Sequence, residues 1–295
     1  YIPYKSLEIN KGDVVKAKID DLPPGFDLDR IKFRTNLSDT AELPATRSGN
    51  TWSINLPSTP AKGHYFVLAG YLDEINAGTD SAALVSRVAG MLKVKAYPRK
   101  TKSVILVPLT TITAPDAKEV EQEINKIFDQ AVVSWSVRTA PVYNVPGYDG
   151  TLDSIRSGFL ANYTREMQDI IRGYEKQDTL QYYLFITKAT GSGLAGFMPR
   201  GRNYGFIVSA DTKTIAHELG HGYGALEHTK ENYSGLREGS TDLLMDYNSG
   251  VRLTHREWEM LQNPPGIIPW FQTDTEGQRV IQQSFYHDRY VYFQF

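Results

Sequence analysis

The chain has no cysteine among its 295 residues. That excludes disulfides, zinc–thiolate sites and a cysteine nucleophile. It also lacks any apolar run approaching the roughly 18 residues of a membrane span. Charge of one sign is missing as well: 32 Lys and Arg stand against 34 Asp and Glu, a formal net charge of −2. This balance gives no electrostatic case for nucleic acid or an anionic membrane as partner. Histidine is scarce, with six in all. The chain starts at Tyr1 rather than Met, as expected of a processed chain or a fragment whose signal peptide is already gone. Hydrophobic residues make up 41% and charged residues 22%, which is ordinary for a soluble globular chain. The length suggests two domains.

Residues 1–100 read as an all-β accessory domain. Val15, Ala17 and Ile19 alternate with polar residues, as do Ile31 with Phe33, and Trp52 with Ile54 and Leu56. Tyr65, Val67 and Ala69, then Leu92, Val94 and Ala96, extend the pattern. Period-two alternation predicts half-buried strands. Turn residues at Leu22-Pro-Pro-Gly25, Ser48-Gly-Asn50 and Pro57 to Gly63 separate them. The expected result is a small antiparallel, immunoglobulin-like sandwich. His64 stands alone and is read as structural.

Tyr97 to Lys102 reads as a basic linker, and residues 101–295 as a second, α/β domain. Val104 to Leu109 is a continuous apolar run of the buried-strand type. Helical spacing follows over about 116–132, then strand alternation at Val133, Trp135 and Val137. A second helix is expected over about 159–175, a buried strand at Tyr182 to Thr187, and two short strands about Pro199 to Asn203. Leu194 to Met198 reads as a plain hairpin strand or, as the family resemblance given below implies, as the edge of a cleft. Thr254-His-Arg-Glu257 is a capping box that opens a last helix. The aromatic tail from Ile267 to Phe295 is either a terminal hairpin or a contact surface.

The chemistry concentrates in His217-Glu218-Leu219-Gly220-His221, an H-E-x-x-H motif. Residues four apart share a helix face, so two imidazoles can point at one ion. Glu218 reaches the outer side of that ion without ligating it. Two neutral imidazoles and a nearby carboxylate suit Zn²⁺. A polar helix with two surface histidines is the plainer alternative. Against it, three of the six histidines fall within 217–228, and Ile215, Ala216 and Leu219 give the helix an apolar side.

Leu243-Leu244-Met245-Asp246-Tyr247 follows downstream. H-E-x-x-H, then a glycine, a further histidine and such a Met-containing turn, resembles the metzincin zinc peptidases. The specific matches cover about 214–263 and are similar to metallopeptidase domains of bacterial polymorphic toxins and related secreted proteins. The resemblance implies a Met-turn floor at Met245 and a catalytic or metal-adjacent role for Tyr247. It departs from the usual spacing at the third ligand, where Glu227 falls in register and His228 lies one residue later. Gly222 and Gly224 relax the helix end, and a longer turn can return His228 to the metal, so His228 is preferred.

The resemblance implies a secreted bacterial zinc endopeptidase. Its metal ligands would be His217, His221 and His228, with Glu218 as general base, Tyr247 in support and a protein or peptide as substrate. Its fold would be a metzincin-like α/β (α+β) domain preceded by the immunoglobulin-like sandwich. The alternative is a non-enzymatic adhesion or binding protein with a structural zinc. The oligomeric state is left open.

Overall fold

The computed structural model describes residues 2–20, 26–37, 41–75, 83–110, 112–153, 163–174, 178, 180–190, 194–208, 211–248 and 250–266. The expected turn at 22–25, Gly193 and the aromatic tail 267–295 lie outside the described residues. The described chain divides into two compact units between Arg99 and Lys100.

The first unit contains seven strands: β1 (Tyr4–Glu8), β2 (Asp13–Lys18), β3 (Lys32–Thr35), β4 (Ala45–Ser48), β5 (Thr51–Leu56), β6 (Gly63–Ile75) and β7 (Ala83–Tyr97). They form a four-stranded sheet ordered β1-β7-β6-β3 and a three-stranded sheet ordered β2-β5-β4. Alternation is the cause. Val15, Ala17, Trp52 and Ile54 from one sheet and Phe33, Tyr65, Val67, Leu92 and Val94 from the other are buried in one core. Phe33 meets Trp52 edge-on at 6.0 Å. The unit differs from the expected antiparallel sandwich at β1, which runs parallel to β7 with Leu7 opposite Ala96. Entering beside the last strand, in its direction, lets Leu7 reach the core. His64 packs edge-on against Phe66.

The second unit is built on β8 (Lys100–Pro108), α1 (Ala117–Phe128), β9 (Val133–Thr139), β10 (Thr151–Leu152), α2 (Arg165–Gly173), β11 (Tyr182–Ile186), β12 (Ala189–Thr190), β13 (Gly196–Phe197), β14 (Tyr204–Ile207), α3 (Thr212–Gly224), α4 (Thr229–Asn232) and α5 (His255–Gln262). Its five-stranded sheet has the order β13-β14-β11-β8-β9. All pairs are parallel except β13–β14 at the edge. The presumed linker is shorter than its composition suggests. Lys100 to Ser103 already pair with Val133 to Ser136, so only Pro98 and Arg99 separate β7 from β8. The polar side chains of this stretch are partly solvated along a paired strand.

Along β8, Ile105 and Val107 share a core with Met167 and Ile170 of α2. Val104 and Leu106 point to the opposite face by strand alternation and are fully buried. Helix α1 is capped by Asp116, which accepts from Glu119 N–H, and buries Val120, Ile124, Ile127 and Phe128. It packs against β9 and α3. Helix α5 opens with the expected Thr254–Glu257 capping box, and Gln262 donates to the Ala131 carbonyl at 2.8 Å. Among the described residues no helix is long and apolar enough to cross a membrane.

Candidate metal centre

Helix α3 starts at Asp211, whose carboxylate accepts from Thr214 N–H at 2.9 Å. Every residue from Thr214 to Gly224 is buried. Burial on all sides requires neighbours on all sides, and the glycines of the motif make this possible. A Cβ at Gly220 would lie 2.9 Å from the Met245 sulfur, and one at Gly224 would lie 2.8 Å from a Leu261 methyl. A Cβ at Gly222 would meet Met198 and lie 2.8 Å from the Arg202 carbonyl oxygen. The glycines are therefore packing positions, and Gly224 is also the last residue of the helix. The cap is Ala225, which takes the left-handed conformation with φ 52°.

Gly222→Ala separates two opposing effects. Alanine gains about 1 kcal/mol of helix propensity. The new methyl meets backbone that cannot rotate away, and overpacking costs about 1–3 kcal/mol. The expected outcome is a lower midpoint in thermal unfolding. A rise would show that the Arg202 turn yields freely.

The turn at Ala225 organises the cluster. Leu226 N–H returns to the Gly220 carbonyl at 3.1 Å, and the Leu226 carbonyl faces His221 Nδ1 at 2.7 Å. His228 follows as the residue that opens α4. Thr229 N–H donates to the Met245 carbonyl at 3.1 Å, which ties this segment to the Met245 turn. On that turn, the Leu244 carbonyl faces His217 Nδ1 at 2.9 Å.

The three Nε2 atoms converge. His221 Nε2 is 3.1 Å from His217 Nε2 and 3.2 Å from His228 Nε2. A carbonyl only accepts, so Nδ1 of His217 and of His221 must carry the proton. Their Nε2 atoms then hold lone pairs that face each other across 3.1 Å. Two facing lone pairs make no hydrogen bond, and a cation between them resolves the clash. Zinc–imidazole bonds of about 2.0–2.1 Å at tetrahedral angles set nitrogens about 3.3 Å apart. The donor set therefore fits zinc. Burial, then repulsion from the neighbouring His228 ring, pushes the His217 pKa down to about 3. The same causes hold His221 well below its ordinary value. Both rings are thus neutral, as ligands must be.

Tyr247 completes one side. Its hydroxyl is 3.2 Å from His228 Nε2, and its ring stacks on the His228 ring at 4.9 Å. Met245 is fully buried beneath α3. Glu218 is also fully buried. The backbone of β13 comes close to it: a Cβ at Gly196 would lie 2.6 Å from Glu218 Oε1. The edge strand thus backs onto the carboxylate of the motif. Glu227 is turned to Arg200, which donates to its carboxylate at 2.7 Å.

Two residues escaped the sequence reading. Asp246 accepts from Gly239 N–H at 2.7 Å, Thr241 N–H at 2.8 Å, Thr241 hydroxyl at 2.7 Å and its neighbour Tyr247 N–H at 2.8 Å. Burial opposes its charge, but these donors keep its carboxyl below the ordinary value. It fixes the turn that carries Met245 and Tyr247. Glu231 lies one turn past His228, and the spacing from His228 to Glu231 is that of a capping box, a signal present in the sequence. A groove of about 440 Å³, lined by residues of 163–172 and 201–204, contains none of the three histidines.

No family model matches the chain, and no curated protein matches it. The solved structures that match include two sialyltransferases. One is the 2,6-sialyltransferase of Photobacterium sp. JT-ISH-224, solved in a ternary complex with CMP and lactose, at 6% identity and a TM-score of 0.22. The other is the sialyltransferase of Photobacterium damsela, at 12% identity and a TM-score of 0.21. Each match covers 64% of this chain, which spans 36% of either enzyme's length. These findings overturn the family assignment. No family model supports a metzincin or an immunoglobulin-like domain, and the two solved structures named are sialyltransferases. The reading of the chain as a metzincin-type zinc endopeptidase after an immunoglobulin-like sandwich, and the adhesion-protein alternative, are withdrawn. A TM-score near 0.2 carries no argument for a sialyltransferase fold or activity either. The geometry of the imidazole cluster stands apart from any likeness.

Proposed function

We propose that the second unit binds one zinc ion through His217, His221 and His228, with Glu218 and Tyr247 beside it. The observation that carries this reading is the pair of tautomer-fixed Nε2 atoms facing each other at 3.1 Å in a buried site. The Tyr247 hydroxyl, 3.2 Å from His228 Nε2, would stand beside that ion. A zinc ion bound there supplies Lewis acidity and makes water a competent nucleophile near neutral pH. Glu218, one position past the first imidazole, would be the basic group beside the ion.

Elemental analysis of the full chain, purified and then equilibrated with zinc, tests the reading. One zinc per chain is expected. Both imidazole shifts are downward, so below the ordinary histidine pKa the metal-free, opened chain takes up more protons than the folded one. Zinc and stability should therefore both be lost as pH falls from about 6.5 towards 3. A chain that holds no zinc at pH 7.5 would refute the centre.

A further inference from the structure

His217 and His221 each turn Nδ1 to a backbone carbonyl, at 2.9 and 2.7 Å. His228 does not. Its Nε2 joins the cluster, so its Nδ1 faces away, and the ring is only 1% exposed. The polar group on that side is Glu231, whose Oε1 lies 3.5 Å from His228 Nδ1. The other oxygen, Oε2, accepts from His228 N–H at 3.2 Å. The carboxylate thus accepts from the backbone N–H and stands 3.5 Å from the ring Nδ1, a buried atom that makes no hydrogen bond in the structure. Thr229 N–H is held by the Met245 carbonyl, so the backbone that carries both partners is fixed. From this geometry we infer that Glu231 is a positioning residue of the metal centre. It holds the His228 ring with Nδ1 protonated and Nε2 turned to the ion.

The chemistry is general. A metal-bound imidazole donates its second N–H to an acceptor, which fixes its tautomer and raises its basicity, and loss of that acceptor typically costs 10- to 100-fold in metal affinity. Backbone carbonyls serve the other two rings and no side-chain substitution removes them. The role of Glu231 can be tested by substitution, and it depends on the zinc reading above.

The experiment is a zinc titration of the full chain against a chromogenic chelator at pH 7.5. Glu231→Gln retains size and replaces the carboxylate with a weaker acceptor. It should weaken zinc binding about 10- to 100-fold. Glu238→Gln removes a carboxylate seven residues further on, one that pairs with Lys230 at 2.8 Å, and should leave the affinity within about twofold of the parent. The same Glu231→Gln change made on a His228→Ala background should have no further effect on zinc affinity, because the ring it positions is gone. A merely structural Glu231 would weaken both backgrounds alike, and that result overturns the inference. So does a Glu231→Gln chain that binds zinc as tightly as a zinc-binding parent. A parent that binds no zinc overturns the centre itself and this inference with it. Glu231→Asp, which keeps the charge on a shorter arm, is the second variant if the Gln chain does not fold, and it should lose affinity in the same range.

Discussion

Glu218→Gln should keep zinc bound at the parent level while slowing any reaction that the zinc-loaded chain catalyses with Glu218 as base by roughly 10²- to 10⁴-fold, the usual worth of a general base. The side chain is fully buried and its oxygen packs against Gly196 of β13. Glutamine has the same shape, so the contact survives. It has no basic oxygen to take a proton, so the chemistry does not. Zinc affinity should stay within about twofold because Glu218 is not among the converging donors. Two measurements on the same sample decide the matter. Retained zinc with full turnover would remove Glu218 from the mechanism. Lost zinc would show that the carboxylate supports the metal instead.

His228→Ala should weaken zinc binding at least on the order of a hundredfold. Structural zinc sites bind with about 10–16 kcal/mol spread over four ligands, so one ligand is worth roughly 2.5–4 kcal/mol. Glu227→Ala should change it little. Glu227 is the residue that the usual spacing of the motif places in register, yet its carboxylate lies 2.7 Å from Arg200 and a third of its side chain is exposed. His228 is buried, with Nε2 3.2 Å from that of His221. Its loss also removes one contact of the Tyr247 hydroxyl. Titration of both variants against one chelator reads the difference directly. Zinc stripped by Glu227→Ala and held by His228→Ala would reverse the assignment of the third donor.

Much of the local structure was legible in the chain. Strand alternation marked Val15, Trp52, Tyr65 and Val94, and these share a core. Helical spacing placed His217 and His221 on one face, and their Nε2 atoms lie 3.1 Å apart. The return of His228 could be raised only as a possibility, because the turn that accomplishes it rests on Ala225 in a conformation an alanine rarely adopts. The carbonyls of Leu244 and Leu226 leave no trace in a sequence, since any residue type supplies one. The parallel seat of β1 beside β7 is likewise a long-range pairing that alternation does not encode. The family label went furthest astray. It rested on a short motif and one turn, and a site of that kind can be carried by more than one fold.

The bare wall of α3 has a further consequence. Gly220, Gly222 and Gly224 occupy three of its 13 positions, and each costs about 1 kcal/mol of helicity relative to alanine. A deficit of about 3 kcal/mol is far more than a helix of this length can carry alone in water. The segment is helical only while Met198, Met245 and Leu261 press on it. The centre is therefore not a portable cassette: an excised peptide spanning 211–228 would be a coil with three loosely spaced imidazoles. Occupancy and cohesion of the unit become one equilibrium. Bound ion stabilises the unit by RT ln(1 + [Zn]/Kd), and any loosening of its core is felt at once as a weaker hold on the ion.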